Sequence, residues 1–240
     1  MNRMTIPMMK QIEEMVSTIP GWSPIDQLYT LFNLVYFNAD VSGDIVELGS
    51  WCGRSTSILG MAARAIGNAK VICIDLFPEK NDWKQTADGS YSFEVTIDNK
   101  TYDGYKDQTV WKEPFEKDIA PLYENNNGVF DIFMETMKKN DLLDLVKPFK
   151  GTSEILSRVM PENFKCRLAF IDGDHSYEAV CQDIKNIEPF IVAGGWICFD
   201  DAFSTYDGVN RAITDLIINN PKYELCQQMT RKLFIARKKK

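Results

Sequence analysis

Apolar positions recur along the chain with two different periods. Met8, Ile12 and Met15 have helical spacing, and Ile25, Leu28, Leu31, Phe32 and Val35 repeat it in a second helix. Ser23 and Pro24 predict the start of that helix, as N-cap and first helical residue. Short apolar runs then alternate with helical segments. Strands are predicted at 44–48, 70–76, 146–150, 167–171 and 195–199, and helices at 55–65, 131–144, 177–191 and 209–218. Two β-rich runs, 223–229 and 232–237, read as a closing hairpin. Such alternation implies right-handed crossovers and a mostly parallel sheet: an α/β fold, with N-terminal helices over residues 1–40 of a single 1–240 domain.

One stretch breaks the rhythm. Residues 78–126 carry no helical apolar stripe but are rich in aromatics, among them Trp83, Tyr91, Phe93, Tyr105, Trp111 and Phe115. Phe93 to Ile97 alternates like an exposed strand, and Asp98, Asn99 and Lys100 form a turn signal. A loop this long inside a domain is functional or disordered, and the aromatics oppose disorder. The segment is expected to be a self-packed surface excursion, a contact between subunits of a homo-oligomer, or a lid over the substrate.

Composition narrows the class. A chain of 240 residues with 45% hydrophobic side chains can bury one sizeable core. Its net charge of -7 opposes a nucleic-acid grip. The basic run Arg237 to Lys240 reads as a solvated tail. No apolar run reaches the roughly 18–20 residues of a membrane span. Met1 to Met15 mixes charges into its apolar residues and lacks the pattern of a signal peptide. The six cysteines show no C-x-x-C spacing and are expected to be reduced, mostly buried thiols in a cytoplasmic protein.

Four blocks carry chemistry. In VELGSWCGRST an apolar strand runs into Gly49, and a turn reaches Gly53 before a helix begins. Glycines there let a ligand approach the backbone, and the helix start offers free N–H groups. A dinucleotide fingerprint needs a glycine where Trp51 stands, so a ligand without a pyrophosphate fits better. Asp75 ends the next strand, where a carboxylate can accept both hydroxyls of a ribose. FIDGDHSY and CFDDA each follow a strand, bringing Asp172, Asp174, Asp200 and Asp201 to the sheet's carboxyl edge. Converging carboxylates call for a cation, and oxygen donors favour Mg²⁺. The bland alternative is helix capping, which suits Asp174 and Ser176 best. His175, the only histidine, is a candidate general base beside this cluster.

These blocks, with VICIDLF, FKGTSEIL and GGWICFDDA, resemble class I S-adenosylmethionine-dependent methyltransferases. The likeness is to the small-molecule O-methyltransferases of the macrocin O-methyltransferase and cephalosporin-hydroxylase-like group, and it runs from about Gly21 to Arg237 apart from the aromatic insertion. The resemblance implies a Rossmann-like seven-stranded sheet in the order 3-2-1-4-5-7-6. It implies S-adenosyl-L-methionine held by Glu47, Gly49, Ser50, Gly53 and Ser55 around its methionine part, Asp75 at the ribose and Thr152 and Ser153 near the adenine. It implies Mg²⁺ on Asp172, Asp200 and Asp201, with either Asp174 or His175 as base. The acceptor would be a small-molecule hydroxyl, of a sugar or another polar metabolite, or a phosphate-type oxygen. Two other readings stand beside it: a cofactor-binding scaffold without catalysis, and a nicotinamide-dependent oxidoreductase.

Overall fold

The computed structural model describes residues 5–105 and 109–240. Helices α1 (Thr5–Val16) and α2 (Ile25–Tyr36) precede strand β1 (Asp44–Leu48), helix α3 (Arg54–Ile66) and strand β2 (Val71–Asp75). A small antiparallel sheet follows, made of β3 (Trp83–Gln85), β4 (Tyr91–Ile97) and β5 (Lys100–Gly104). The short α4 (Lys112–Pro114) and the longer α5 (Val129–Lys139) lead back to β6 (Val146–Lys150). Then come α6 (Leu156–Val159), β7 (Cys166–Ile171), α7 (Tyr177–Ile187), β8 (Ile191–Phe199), α8 (Asp207–Ile213), β9 (Tyr223–Gln228) and β10 (Phe234–Lys238).

The main sheet has seven strands in the order β6-β2-β1-β7-β8-β10-β9. Counting only its own members, this is the expected 3-2-1-4-5-7-6. The first five pair in parallel, and β10 runs antiparallel to both β8 and β9. Central strands β1 and β7 are buried almost throughout, so they read as continuous apolar runs. Pro148 is tolerated in β6 because that strand lies at the sheet's edge. One apolar layer joins α1, α2, α3 and α5 to one face, including Ile12, Leu28, Leu59 and Phe133. The other covers the opposite face with α7 and α8, including Val180, Ile184, Val209 and Ile213.

Local differences from the sequence reading have physical causes. Helix α2 begins one residue later than expected: Pro24 is its N-cap, and Ser23 instead offers its carbonyl to Arg54 Nε at 3.0 Å. Arg54 Nη1 also donates to the carbonyl of Ile19 at 2.9 Å, so one guanidinium ties the loop between α1 and α2 to the start of α3. The aromatic stretch forms a sheet of its own rather than one exposed strand. Asp98 and Asn99, at φ 49° and 63°, make the tight turn between β4 and β5 that matches strand twist. The basic tail is not free: Arg237 pairs with Glu224 at 2.7 Å, and Lys238 Nζ donates to the Ile191 carbonyl at 2.7 Å. All six cysteines are unpaired, and only Cys226 among them is exposed. Among the described residues no helix is long and apolar enough to cross a membrane.

At the carboxyl edge the parallel strands remain linked one residue past their ends. Gly151 N donates to the Asp75 carbonyl at 2.9 Å, Gly49 N to Ile74 at 2.8 Å, Asp172 N to Leu48 at 2.8 Å and Asp200 N to Ile171 at 3.0 Å. The turns after four neighbouring strands are thereby aligned side by side. Gly49 stands at φ 87°, and a Cβ there would lie 2.0 Å from the carbonyl oxygen of Asp172. Gly49→Ala is therefore expected to destabilise the fold by ~2–5 kcal/mol, from backbone strain and overpacking together. Gly67 has a similar φ of 73° with nothing within 4 Å of its would-be Cβ, so Gly67→Ala isolates the strain alone. Denaturant unfolding should show the first variant losing clearly more stability than the second; equal losses would mean that the contact at Gly49 is not a constraint.

Candidate active site

The glycine turn is held from below by a buried acid. Glu47 is 0% exposed, and its Oε2 accepts the hydroxyl of Ser50 at 2.8 Å and that of Thr56. Burial raises the pKa of its carboxyl, while hydrogen bonds from Ser55, Thr56 and Ser50 oppose the rise. Glu47 lies beneath the turn, and the hydroxyls of Ser50 and Ser55 turn inward onto it. What the turn offers to a ligand is its backbone, around Gly49 and Gly53 and at the start of α3.

Asp75 faces that turn across the sheet edge. Its Oδ2 accepts the amides of Ser50 at 2.8 Å and Trp51 at 2.9 Å, and its Oδ1 accepts the amide of Phe77. A carboxylate has about four acceptor positions, so three are filled from the backbone and one remains for an incoming hydroxyl. Burial raises its pKa, opposed by these amides and by Lys150. Thr152 and Ser153 follow β6 on the same edge. Ser153 Oγ accepts from Asn186 Nδ2 at 2.9 Å, whereas Thr152 Oγ1 is buried with no partner among the described residues. A buried hydroxyl without a partner, one residue beyond the Gly151 amide that donates to the Asp75 carbonyl, fits a polar ligand atom at this edge.

The second half of the crevice is acidic. Asp172 sits against Asp200, and burial followed by the charge of Asp200 pushes its carboxyl well above the usual range. Asp174 Oδ1 accepts the amide of Ser176 at 2.8 Å, and Ser176 caps α7 by accepting from Ala179 N at 3.4 Å. Asp174 is thus engaged in the helix entry, as the capping alternative anticipated. His175 is mostly buried. Its ring lies 4.2 Å from that of Tyr206, and its Nε2 is 3.5 Å from Asp201 Oδ2 and otherwise without a partner. Burial lowers the imidazole pKa and outweighs the opposing charges of Asp201, Asp200 and Asp174. Gly208 keeps α8 close by: a Cβ there would sit 2.3 Å from the His175 carbonyl. Beneath the loop, burial pushes the Asp183 carboxyl up to about 7.

The sequence reading missed Lys232. It stands in the turn between β9 and β10, 31 residues beyond Asp201, and its Nζ lies 2.9 Å from Asp200 Oδ2 and 3.3 Å from Asp201 Oδ1. Burial works against its charge, but Asp200, Asp172 and Asp201 outweigh that and hold its pKa above the ordinary value. Among the described residues no group of three or more His, Cys, Asp or Glu side chains is arranged to hold a metal ion. The expected Mg²⁺ site on Asp172, Asp200 and Asp201 therefore does not fit this arrangement. The reason is electrostatic: an ammonium already lies between two of its three proposed ligands.

The aromatic insertion meets this edge through Trp51. The indole of Trp51 lies 5.9 Å from Trp22 and 6.4 Å from Trp83 of β3. Trp83 in turn contacts Phe93 at 5.0 Å and stacks on Tyr105 at 6.1 Å. Burial and the charges of Asp172, Tyr206, Asp75 and Asp201 push the Tyr105 phenol far up. That set of charges comes from both halves of the crevice.

Residues 46–202 match the family model described as a methyltransferase domain. Among solved structures, the O-methyltransferase NovP is similar over 90% of this chain and 81% of its own, with a TM-score of 0.61 at 17% identity. TomG of Streptomyces achromogenes, an O-methyltransferase involved in tomaymycin synthesis and solved in complex with SAM, aligns over 100% of this chain and 92% of its own, at a TM-score of 0.57 and 11% identity. A TDP-rhamnose 3'-O-methyltransferase of calicheamicin biosynthesis, in its apo form, aligns over 99% and 95%, at 0.53 and 13%. At such identities the likeness is one of fold.

His175 is the only histidine, so its ring protons are directly readable by NMR. Because burial lowers its pKa in the folded chain, the titration midpoint should fall below the ordinary 6.5. As pH falls through about 6.5 the unfolded chain takes up the proton first, so this residue's contribution to stability declines on the acid side. A midpoint at or above about 7 would mean that Asp201 dominates over burial and that the pair is ionic.

Proposed function

The chain belongs to the methyltransferase-domain family, and we propose that it is an S-adenosylmethionine-dependent O-methyltransferase whose acceptor is a hydroxyl of a sugar or other small polar metabolite. The observation that carries this reading is the contact between Gly49 and Asp172. It sets the glycine turn, Asp75 and Thr152 directly beside Asp172, His175 and Asp201. One half suits a nucleoside-bearing cofactor, and the other suits the removal of a proton from a hydroxyl.

S-adenosylmethionine, when bound, supplies an electrophilic methyl group on a sulfonium. The remaining work falls to the chain. Asp75 takes a ribose hydroxyl, and Thr152 Oγ1 gains the partner it lacks. The backbone at Gly49 and Gly53 allows the amino-acid part to lie close to the start of α3. His175 acts as the base: its Nε2 has no hydrogen-bond donor facing it, and a lowered pKa keeps that nitrogen free to accept the acceptor's proton near neutral pH. Asp201, 3.5 Å away, stabilises the imidazolium that results. Asp174 is less suited, since its Oδ1 is committed to the entry of α7. The aromatic insertion serves as a lid: Trp83 rests edge-on against Trp51, and Tyr105 stacks on Trp83. Excluding water there strengthens every charge interaction in the crevice. The TDP-rhamnose 3'-O-methyltransferase of like fold supports an acceptor of this class.

Calorimetric titration with S-adenosylhomocysteine should show binding to the wild-type chain, and Asp75→Ala should weaken it by ~10–150-fold, the scale of one hydrogen bond to a charged group. Unchanged affinity would move the ribose elsewhere. In a mass-spectrometric screen of sugar and polyol acceptors, His175→Ala should cut turnover by roughly 10²–10⁴-fold with cofactor affinity kept. If Asp174→Asn produces that loss and His175→Ala does not, Asp174 is the base.

A further inference from the structure

Lys232 is placed by the backbone rather than by a freely swinging side chain. Its carbonyl accepts the amide of Ala202 at 2.9 Å, and Gln228 Nε2 donates to the Ala202 carbonyl at 3.1 Å. The β9–β10 hairpin is thus strapped to the turn that carries Asp200 and Asp201. Asp201 is itself bent back at φ 51°, which brings its carboxylate to the same ammonium as Asp200. Only 13% of the Lys232 side chain is exposed. An ammonium has three donor hydrogens. Two are spent on Asp200 Oδ2 and Asp201 Oδ1, and the third has no partner among the described residues.

We propose that Lys232 Nζ is the resident cation of this site, standing where a divalent metal ion would otherwise bridge Asp200 and Asp201, so that methyl transfer proceeds without added metal. This rests on the O-methyltransferase reading above. A metal ion seated on the same two carboxylates would face the ammonium across a few ångströms of buried space, and like charges at that range exclude one another. The third N–H of Lys232 points the same chemistry at the acceptor. As the acceptor's proton passes to His175 Nε2, negative charge grows on its oxygen, and an ammonium donor stabilises that charge. The new O–C bond then forms as the S–C bond breaks; the sulfonium becomes a neutral thioether, and the positive charge ends on the imidazolium. No oxidant, reductant or further co-reactant is needed for that balance.

Mn²⁺ titration followed by electron paramagnetic resonance tests the proposal on the full chain, without knowledge of the acceptor. The wild-type protein should leave the free-ion signal undiminished. Lys232→Ala, and Lys232→Gln as a second variant of gentler shape, should bind one Mn²⁺ roughly 100-fold more tightly than wild type, because the excluding charge is gone. Lys232→Arg, which keeps the charge, should remain silent. S-adenosylhomocysteine affinity measured on the same samples reports the cofactor site separately, so a failure of the methyltransferase reading shows there and not in the Mn²⁺ signal. Stoichiometric, micromolar Mn²⁺ binding by the wild-type protein would overturn the proposal. So would variants that bind S-adenosylhomocysteine normally but take up Mn²⁺ no better than wild type.

Discussion

Everything at the candidate site depends on how closely two strand-end turns approach each other. Gly49 and the carbonyl of Asp172 leave no room for a single methyl group between them. The approach is fixed by hydrogen bonds that continue the parallel ladder one residue past each strand, from Gly151 through Gly49 and Asp172 to Asp200. A parallel sheet orients all its carboxyl ends the same way, so a ladder extended there aligns the following turns as neighbours. That alignment turns four short motifs, separated by up to about 150 residues of sequence, into one crevice. Helices α1 and α2 join the same edge because Arg54, at the start of α3, holds their connecting loop.

The crevice gathers more carboxyl groups than a low-dielectric site tolerates unpaired, and the chain resolves each differently. Glu47 is ringed by hydroxyls. Asp75 is fed by three backbone amides. Asp174 is used in a helix entry. Asp200 and Asp201 share an ammonium from a distant hairpin, and Asp172 leans toward its protonated form beside them. Two buried acceptors in this group keep no partner among the described residues, Nε2 of His175 and Oδ1 of Asp200. A site built this way retains one unpartnered imidazole nitrogen and one unspent ammonium hydrogen. Those are the two groups that a hydroxyl needs in order to become a nucleophile.

Much of this was legible in the sequence, for reasons that can be traced. Strands β1 and β6 have the bounds that the sequence predicts, and the strand-end residues Gly49, Asp75, Asp172 and Asp200 lie at the edge that their positions imply. Three things were not legible. The partner of a buried acid is set by packing and not by spacing, so the bonds from Ser50 and Thr56 to Glu47 could not be read from the chain. Lys232 sits in a polar turn that resembles any other hairpin, and nothing local ties it to Asp200. The aromatic insertion hid its sheet because only β4 alternates clearly, with Phe93 and Val95 turned inward. The turn signal at Asp98 and Asn99 was legible, but the flanking strands β3 and β5 carry too few apolar positions to be read with it.

The central claim is that cofactor and proton acceptor meet across the Gly49–Asp172 contact. A crystal structure of the chain with S-adenosylhomocysteine tests it most directly. The account requires the ribose on Asp75 and the sulfur turned across Gly49 toward the side of the crevice that holds His175 and Lys232. A cofactor bound elsewhere, or one whose sulfur faces away from His175, would contradict it.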